Sequence, residues 1–297
     1  MFVAEPLHEP MDAPAQKIDI RHALPKEAVP PERTLPRYVP ERGLIRRIRS
    51  AQAKDGLGEL AARHMLDPET QSQLSCELIK AGAPPITPDA AEKALMRTVR
   101  FEPLNVDALH PFVLLSMDRE LRAEALASVG LAFNAAGRSV RLVSDATDTR
   151  TNDALVDAGE KIGCGVTPFD GVPNCVEILR KADLACLNLI ETGFRAPLHR
   201  IASLRLSTLI QATGSEPVLV MRPEDAELAA MISGIGIKRI VLAYSEEPVQ
   251  LGPVLSVLRE ANLSIAEFLD LRGNTAKLRP AQASELATLL MGIQPHD

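Results

Sequence analysis

The sequence predicts an α/β protein with a doubly wound, mostly parallel sheet preceded by a small helical bundle. Three observations carry this. Short, near-continuous apolar runs recur in the second half: PFVLLS (111–116), LACLNLI (184–190) and PVLVM (217–221). Stretches of helical length separate them, the pattern of parallel strands covered on both faces. Residues from Glu41 to about Phe101 show helical periodicity.

The first 40 residues hold eight of the chain's 23 prolines. Proline breaks helices and lacks an amide donor, which predicts an extended tail. In ERGLIRRIRSAQAK, Leu44, Ile45 and Ile48 share one face among Arg42, Arg46, Arg47 and Arg49. That is a basic amphipathic helix, suited to a solvated face or to an anionic surface. Asp67-Pro68 makes a cap and first-turn pair for a second helix, which Gly82 to Pro85 ends. Thr87-Pro88-Asp89 opens a third, running through Met96.

Alternation follows. Strand 111–116 leads to a helix over 119–136, closed by Gly137, and to strand VRLVS (140–144). Helix 152–162, a short VTPF segment and helix 173–182 precede strand 184–190. A helix near 197–212 leads to strand 217–221, helix 223–233 to IKRIVLAY (237–244), and helix 251–261 to SIAEFLD (264–270). A last helix is predicted over 280–291. The division expected is a tail over 1–40, a bundle over 41–105 and the sheet domain over 106–297.

The chain has 297 residues, 46% hydrophobic and 24% charged, with net charge −6. It is an ordinary globular balance, and the acidic sign and 3% aromatic content argue against nucleic-acid binding. The start, MFVAEPLHEPMDAP, lacks the basic and apolar regions of a secretory signal, so a cytoplasmic protein is expected. Cys76, Cys164, Cys175 and Cys186 form no CxxC pair, and the six histidines show no HxH or HExxH spacing. No metal site is expected.

Ligands of doubly wound sheets sit at the strand carboxyl ends. There the sequence places Ser116-Met117-Asp118-Arg119-Glu120-Leu121-Arg122-Ala123, then Asp145-Ala146-Thr147-Asp148, then Glu191-Thr192-Gly193-Phe194-Arg195. Further on come Ala243-Tyr244-Ser245-Glu246, followed by Glu247, then Gly252-Pro253-Val254-Leu255-Ser256-Val257-Leu258 and Arg272-Gly273-Asn274. Over residues 42–292 this ordered series resembles the NG core of the signal-recognition-particle family of GTPases, a P-loop-NTPase-like G domain behind a helical bundle. The flagellar-placement branch is the most similar. It too has a proline-containing extension and a Glu after its base-reading motif, and lacks an RNA-binding tail.

The resemblance assigns the residual nucleotide-site positions Arg122, Asp145, Glu191, Thr192, Arg195 and Glu246. Segment 116–123 matches the family's GxxGxGKT loop, but every glycine is gone. Arg122 stands at the lysine position and Ala123 at the magnesium-binding hydroxyl. Glu191 to Arg195 matches DTAGR, with Phe194 at its glycine. Ala243 to Glu246 matches the guanine-reading TKLD, without its lysine. Glycines let successive amides cradle phosphate, and phosphoryl transfer depends on positioning and charge neutralisation. No GTP hydrolysis and no tight GTP or magnesium binding is therefore expected, and no catalytic residue is assigned. Arg119 and Arg122 fall on the first turns after the strand, where they are either solvated or form an anion site.

The function expected is that of a non-catalytic homologue acting as an interaction or regulatory protein. The resemblance implies flagellar assembly or placement as its setting, and another G domain, like or unlike, or flagellar and polar factors as partners. Residues 42–54 predict contact with a membrane surface, hence a cytoplasmic protein peripheral at the inner membrane or cell pole. A weak GTP-binding switch or slow GTPase is the alternative. An unrelated small-molecule enzyme ranks last, because no GxGxxG, GxSxG or histidine cluster is present.

Overall fold

The computed structural model describes residues 56–83, 85–146, 149–183, 185–193, 200–226, 235–245, 249–272 and 276–292. The proline-rich segment, the basic segment 42–54, Arg195 and Glu246 lie outside these residues.

Three helices open the described chain: α1 (Leu57–Arg63), α2 (Pro68–Lys80) and α3 (Pro88–Thr98). Local chemistry sets their starts. The Asp67 carboxylate accepts the amides of Glu69 and Thr70 with Pro68 in the first turn, and Thr87 Oγ1 accepts the Ala90 amide. Such caps contribute about 1 kcal/mol each. The last helix of the chain, α9 (Ala283–Met291), packs on α3. Ala90, Ala91 and Ala94 of α3 are buried, and small side chains allow close helix approach.

Among the described residues nine strands form one sheet: β1 (Arg100–Phe101), β2 (Phe112–Leu115), β3 (Ser139–Asp145), β4 (Val166–Phe169), β5 (Cys186–Glu191), β6 (Glu216–Met221), β7 (Arg239–Tyr244), β8 (Ser264–Asp270) and β9 (Lys277–Pro280). The order is β1-β8-β7-β6-β2-β5-β3-β4, parallel throughout, and β9 adds antiparallel to β8. Between the strands run α4 (Arg119–Ala135), α5 (Thr149–Ile162), α6 (Gly171–Arg180), α7 (Arg200–Thr213) and α8 (Gly252–Glu260).

Both sheet faces are covered, which is why the strands read as continuous apolar runs. In β2, Phe112 and Leu114 join Leu121, Leu126 and Val129 of α4 and Leu155 of α5. Val113 and Leu115 face the opposite layer, with Leu206 of α7, Leu255 of α8, Leu286 of α9 and Leu95 of α3. Each such buried side chain contributes roughly 1.5–3 kcal/mol. The path from β2 to β3 runs to one side of β2, and the path from β5 to β6 crosses back to the other. The carboxyl end of β2 is thus the topological switch point, where ligands of such sheets sit.

Three elements depart from the expectation. β1 is only two residues long and carries no apolar run. Residues 277–280 form β9, so the last helix starts at Ala283 rather than 280. The helix expected over 223–233 opens as a 3-10 turn, Pro223–Asp225, with Ala226 helical after it, and its remainder lies outside the described residues.

The connector 102–111, between β1 and β2, is held by side chains from the sheet domain. Arg239 donates to Pro103 O at 2.7 Å, the Leu104 amide donates to Glu267 Oε1 at 3.1 Å, and Arg138 donates to Ala108 O at 3.1 Å. His110 Nε2 lies 2.9 Å from Glu216 Oε2. Burial pushes the Glu267 carboxyl up to about 7, against the opposing pull of the Leu104 amide and Arg239.

Candidate functional site

Three residues, Ser116, Met117 and Asp118, join β2 to α4. The chain turns into a helix as soon as the strand ends, because Asp118 caps it. Asp118 Oδ1 accepts the amides of Glu120 at 2.8 Å and Leu121 at 3.1 Å. The Arg122 amide donates to Asp118 O at 3.1 Å, and the Asp118 amide donates to Ser116 Oγ at 3.2 Å. The Glu120, Leu121 and Arg122 amides at this helix start, a natural anion site, are thus already paired within the chain. The other Asp118 oxygen lies 3.0 Å from Nη1 of Arg222, just beyond β6.

Arg122 turns inward. Its Nε donates to Glu191 Oε1 at 2.9 Å and its Nη1 to Ser116 O at 3.2 Å. Nη2 also lies 2.9 Å from Glu191 Oε1, and both side chains are 1% exposed. Glu191 Oε2 accepts the Ser144 hydroxyl at 3.1 Å. Register explains the meeting: Glu191, on β5, sits between Leu114 of β2 and Ser144 of β3. Ala123, at the position matched to the magnesium-binding hydroxyl, is buried and has no ligand atom to offer.

Arg122 and Glu191 are therefore brought together, and neither reading of Arg122 as solvated or as an open anion site fits. Thr192 follows Glu191 and is also buried, its Oγ1 without a hydrogen-bond partner among the described residues. Asp145 ends β3 one residue beyond Ser144. Burial and, second, the Asp145 charge push the Cys175 thiol up to about 11. Arg195 and Glu246 are outside the described residues. Sequence reasoning missed Asp118, Ser144 and Arg222 as partners. Asp118 had a signal, an acid directly before a helix. Ser144 and Arg222 had none.

A cavity of about 370 Å³ lies beside this centre, at the carboxyl ends of β6 and β7. Met65, Arg222, Pro223, Tyr244, Val249 and Pro253 are among its walls. Tyr244 stands at the position matched to the lysine of the guanine-reading segment, yet its ring is buried. Its hydroxyl donates to Glu285 at 2.7 Å, and the Arg272 guanidinium lies 5.2 Å from its ring centre. Burial and the Glu285 contact raise its pKa. Arg272 is in turn forked onto Asp270 at 2.9 and 2.6 Å. Among the described residues no group of three His, Cys, Asp or Glu side chains could hold a metal ion. None of the described helices is long and apolar enough to cross a membrane.

No family model and no curated protein sequence matches the chain. Solved structures do. Chloroplast FtsY from Physcomitrella patens is 16% identical, with a TM-score of 0.62, over 84% of this chain and 94% of that one. FlhF complexed with GTP and Mg²⁺ is 13% identical at TM-score 0.62, over 82% and 98%. The Signal Recognition Particle 54 kDa protein from Aeropyrum pernix K1 in complex with GDP is 15% identical at 0.62, over 82% and 63%. The strand order, the switch point at β2 and these neighbours together identify the fold as that of the NG core of signal-recognition-particle-type GTPases.

Proposed function

We propose that the protein is a non-catalytic homologue of these GTPases that works as an interaction or regulatory protein. The observation that carries this reading is the chain's own charge filling the switch point. Asp118 takes the amides at the start of α4, and Arg122 is committed to Glu191 in the interior. A phosphate brought to that helix start would meet the Asp118 carboxylate. A three-residue junction has no glycine to turn further amides inward, and Ala123 offers magnesium nothing. The residues present do not fit a nucleotide triphosphate with its metal, and no step of phosphoryl transfer is derived through them.

A homologue of this kind keeps a surface while giving up turnover. The partner we propose is a protein, in the first place another G domain, like or unlike. A setting in flagellar assembly or placement, and contact of residues 42–54 with a membrane at the cell pole, rest on the sequence resemblance and the basic segment alone. The division into tail, bundle and sheet domain at about residues 40 and 105 belongs to the same reading.

Calorimetric titration of the full chain with GTP, GDP and ATP, each with magnesium, tests it. The expected result is no saturable heat at protein concentrations that reveal sub-millimolar affinity. A one-to-one isotherm with GTP would overturn the reading and make the protein a nucleotide-dependent switch.

A further inference from the structure

A second cavity, of about 590 Å³, opens at the other end of the sheet, where β6 and β7 begin with Glu216 and Arg239. Its volume falls within the ~300–1,000 Å³ of small-molecule sites. Ile210, Pro217 and Ile235 give it an apolar wall, and Glu102, His110 and Lys238 border it with polar groups. We propose that this cavity binds a small zwitterion, an α-amino acid with an aliphatic side chain, Lys238 taking its carboxylate and Glu102 its ammonium.

The charges around the cavity divide into a closed pair and an open one. The Arg239 guanidinium is forked onto the Glu216 carboxylate, and its remaining Nη1 donates to Pro103 O at 2.7 Å. Glu216 and Arg239 therefore neutralise each other. Lys238 and Glu102 do not. Among the described residues Lys238 has no ion-pair partner and Glu102 has no cation, its Oε2 accepting the Ser264 hydroxyl. Two opposite charges thus border one cavity without meeting. A ligand with a single charge would be attracted by one and repelled by the other. A ligand carrying both charges is attracted by both.

Both groups are anchored from the interior. The hydroxyl of Ser264, 1% exposed at the start of β8, lies 3.1 Å from Glu102 Oε2 and 3.1 Å from Lys238 O. The Ser264 amide donates to that same carbonyl at 2.9 Å. One buried residue thereby fixes the acid and the main chain that carries the ammonium, which lowers the ordering cost of binding. Oε1 of Glu102 is left for the ligand. His110 offers a further acceptor. Its Nε2 lies 2.9 Å from Glu216 Oε2 and carries the hydrogen, so Nδ1 of the neutral ring has a lone pair, with no partner among the described residues. The apolar wall selects the side chain, since an aliphatic group placed on it leaves water.

This inference stands apart from the reading of the switch point, because the cavity lies at the opposite end of the strands. The nucleotide titration tests the one, and an amino-acid titration tests the other. The probe is L-leucine, with isocaproate and isoamylamine as leucine without its ammonium and without its carboxylate. Amide NMR of the isotope-labelled full chain should show saturable shifts at Gly214, Ser215, Gly236 and Lys238 with leucine at millimolar concentrations. Either single-charge compound should bind about tenfold more weakly or worse, since each forgoes a charge-assisted contact. Lys238→Met and Glu102→Gln should each weaken leucine binding by a similar factor. Both positions are exposed, and glutamine keeps an acceptor for Ser264, so the fold is retained. No saturable shift with leucine, shifts confined to the carboxyl ends of β6 and β7, isocaproate binding as tightly as leucine, or unchanged affinity in either variant would overturn the proposal.

Discussion

Arg122 and Glu191 form a fully buried ion pair, 2.9 Å apart, at the topological switch point of the sheet. The pair joins α4 to β5, and Ser144 of β3 completes it. Removing one partner leaves a charge in the interior without compensation. Arg122→Met or Glu191→Leu alone should therefore cost about 3–5 kcal/mol. The double substitution should recover most of that loss, because well-packed apolar groups replace buried pairs at little net cost. Urea denaturation of the four proteins, treated as a double-mutant cycle, measures both effects. Additive losses would show that the two groups act independently.

Asp118 holds the start of α4 by a different kind of contact. Asp118→Ala should cost about 1 kcal/mol through the lost cap. Its pair with Arg222, a third exposed on each side, adds at most about 1 kcal/mol. Asp118→Asn keeps the cap and should lose only the smaller part. Thermal denaturation at low and high salt separates them, since salt screens the ion pair and leaves the cap in place.

Two glycines that look alike in sequence should respond differently to alanine. At Gly252 the new Cβ would meet main-chain carbonyls at 2.3 Å, and backbone cannot turn aside. At Gly130 it would meet the buried Ile162 side chain, Cδ1 at 2.4 Å and Cγ1 at 2.9 Å, so a side chain rather than main chain has to shift. Gly252→Ala should fall at or beyond the upper end of the roughly 1–3 kcal/mol range of overpacking, and Gly130→Ala within it. Denaturant midpoints of the two variants decide the order.

Glu267 should make stability fall with rising pH. Its folded pKa of about 7 lies above the ordinary carboxylate value, so the unfolded chain releases this proton first. The contribution is fully present below about pH 4.5 and is lost as pH rises through about 7. Glu267→Gln cannot titrate, so the variant should gain on the wild type between about pH 5 and pH 8. Urea denaturation at those two values gives the sign directly.

Much of the fold was legible because the parallel strands are buried on both faces. Phe112 to Leu115 and Ser264 to Asp270 are buried at every position, and such runs announce themselves in one dimension. β9 was not legible, since Lys277 to Pro280 is half-solvated and carries no apolar run to mark its pairing with β8. Within the site, Arg122 and Glu191 were found by their order along the chain. Their pairing was not, because 69 residues separate them and only the β2-β5-β3 register brings them together. Ser144 and Arg222 are ordinary surface types in a sequence, and only the fold gives them partners.

The margins of the sheet limit how another protein can attach. At one end, β1 and β9 share the outer side of β8; they are two and four residues long, and β9 ends in Pro280. At the other, β4 carries Pro168, which has no amide to donate. Neither margin offers the uninterrupted row of free main-chain groups that strand addition needs. Among the described residues a partner that extended the sheet would find little template, so the protein contact proposed above would rest on side chains of helices and loops, and its specificity would be open to change by surface substitution without disturbing the ladder beneath.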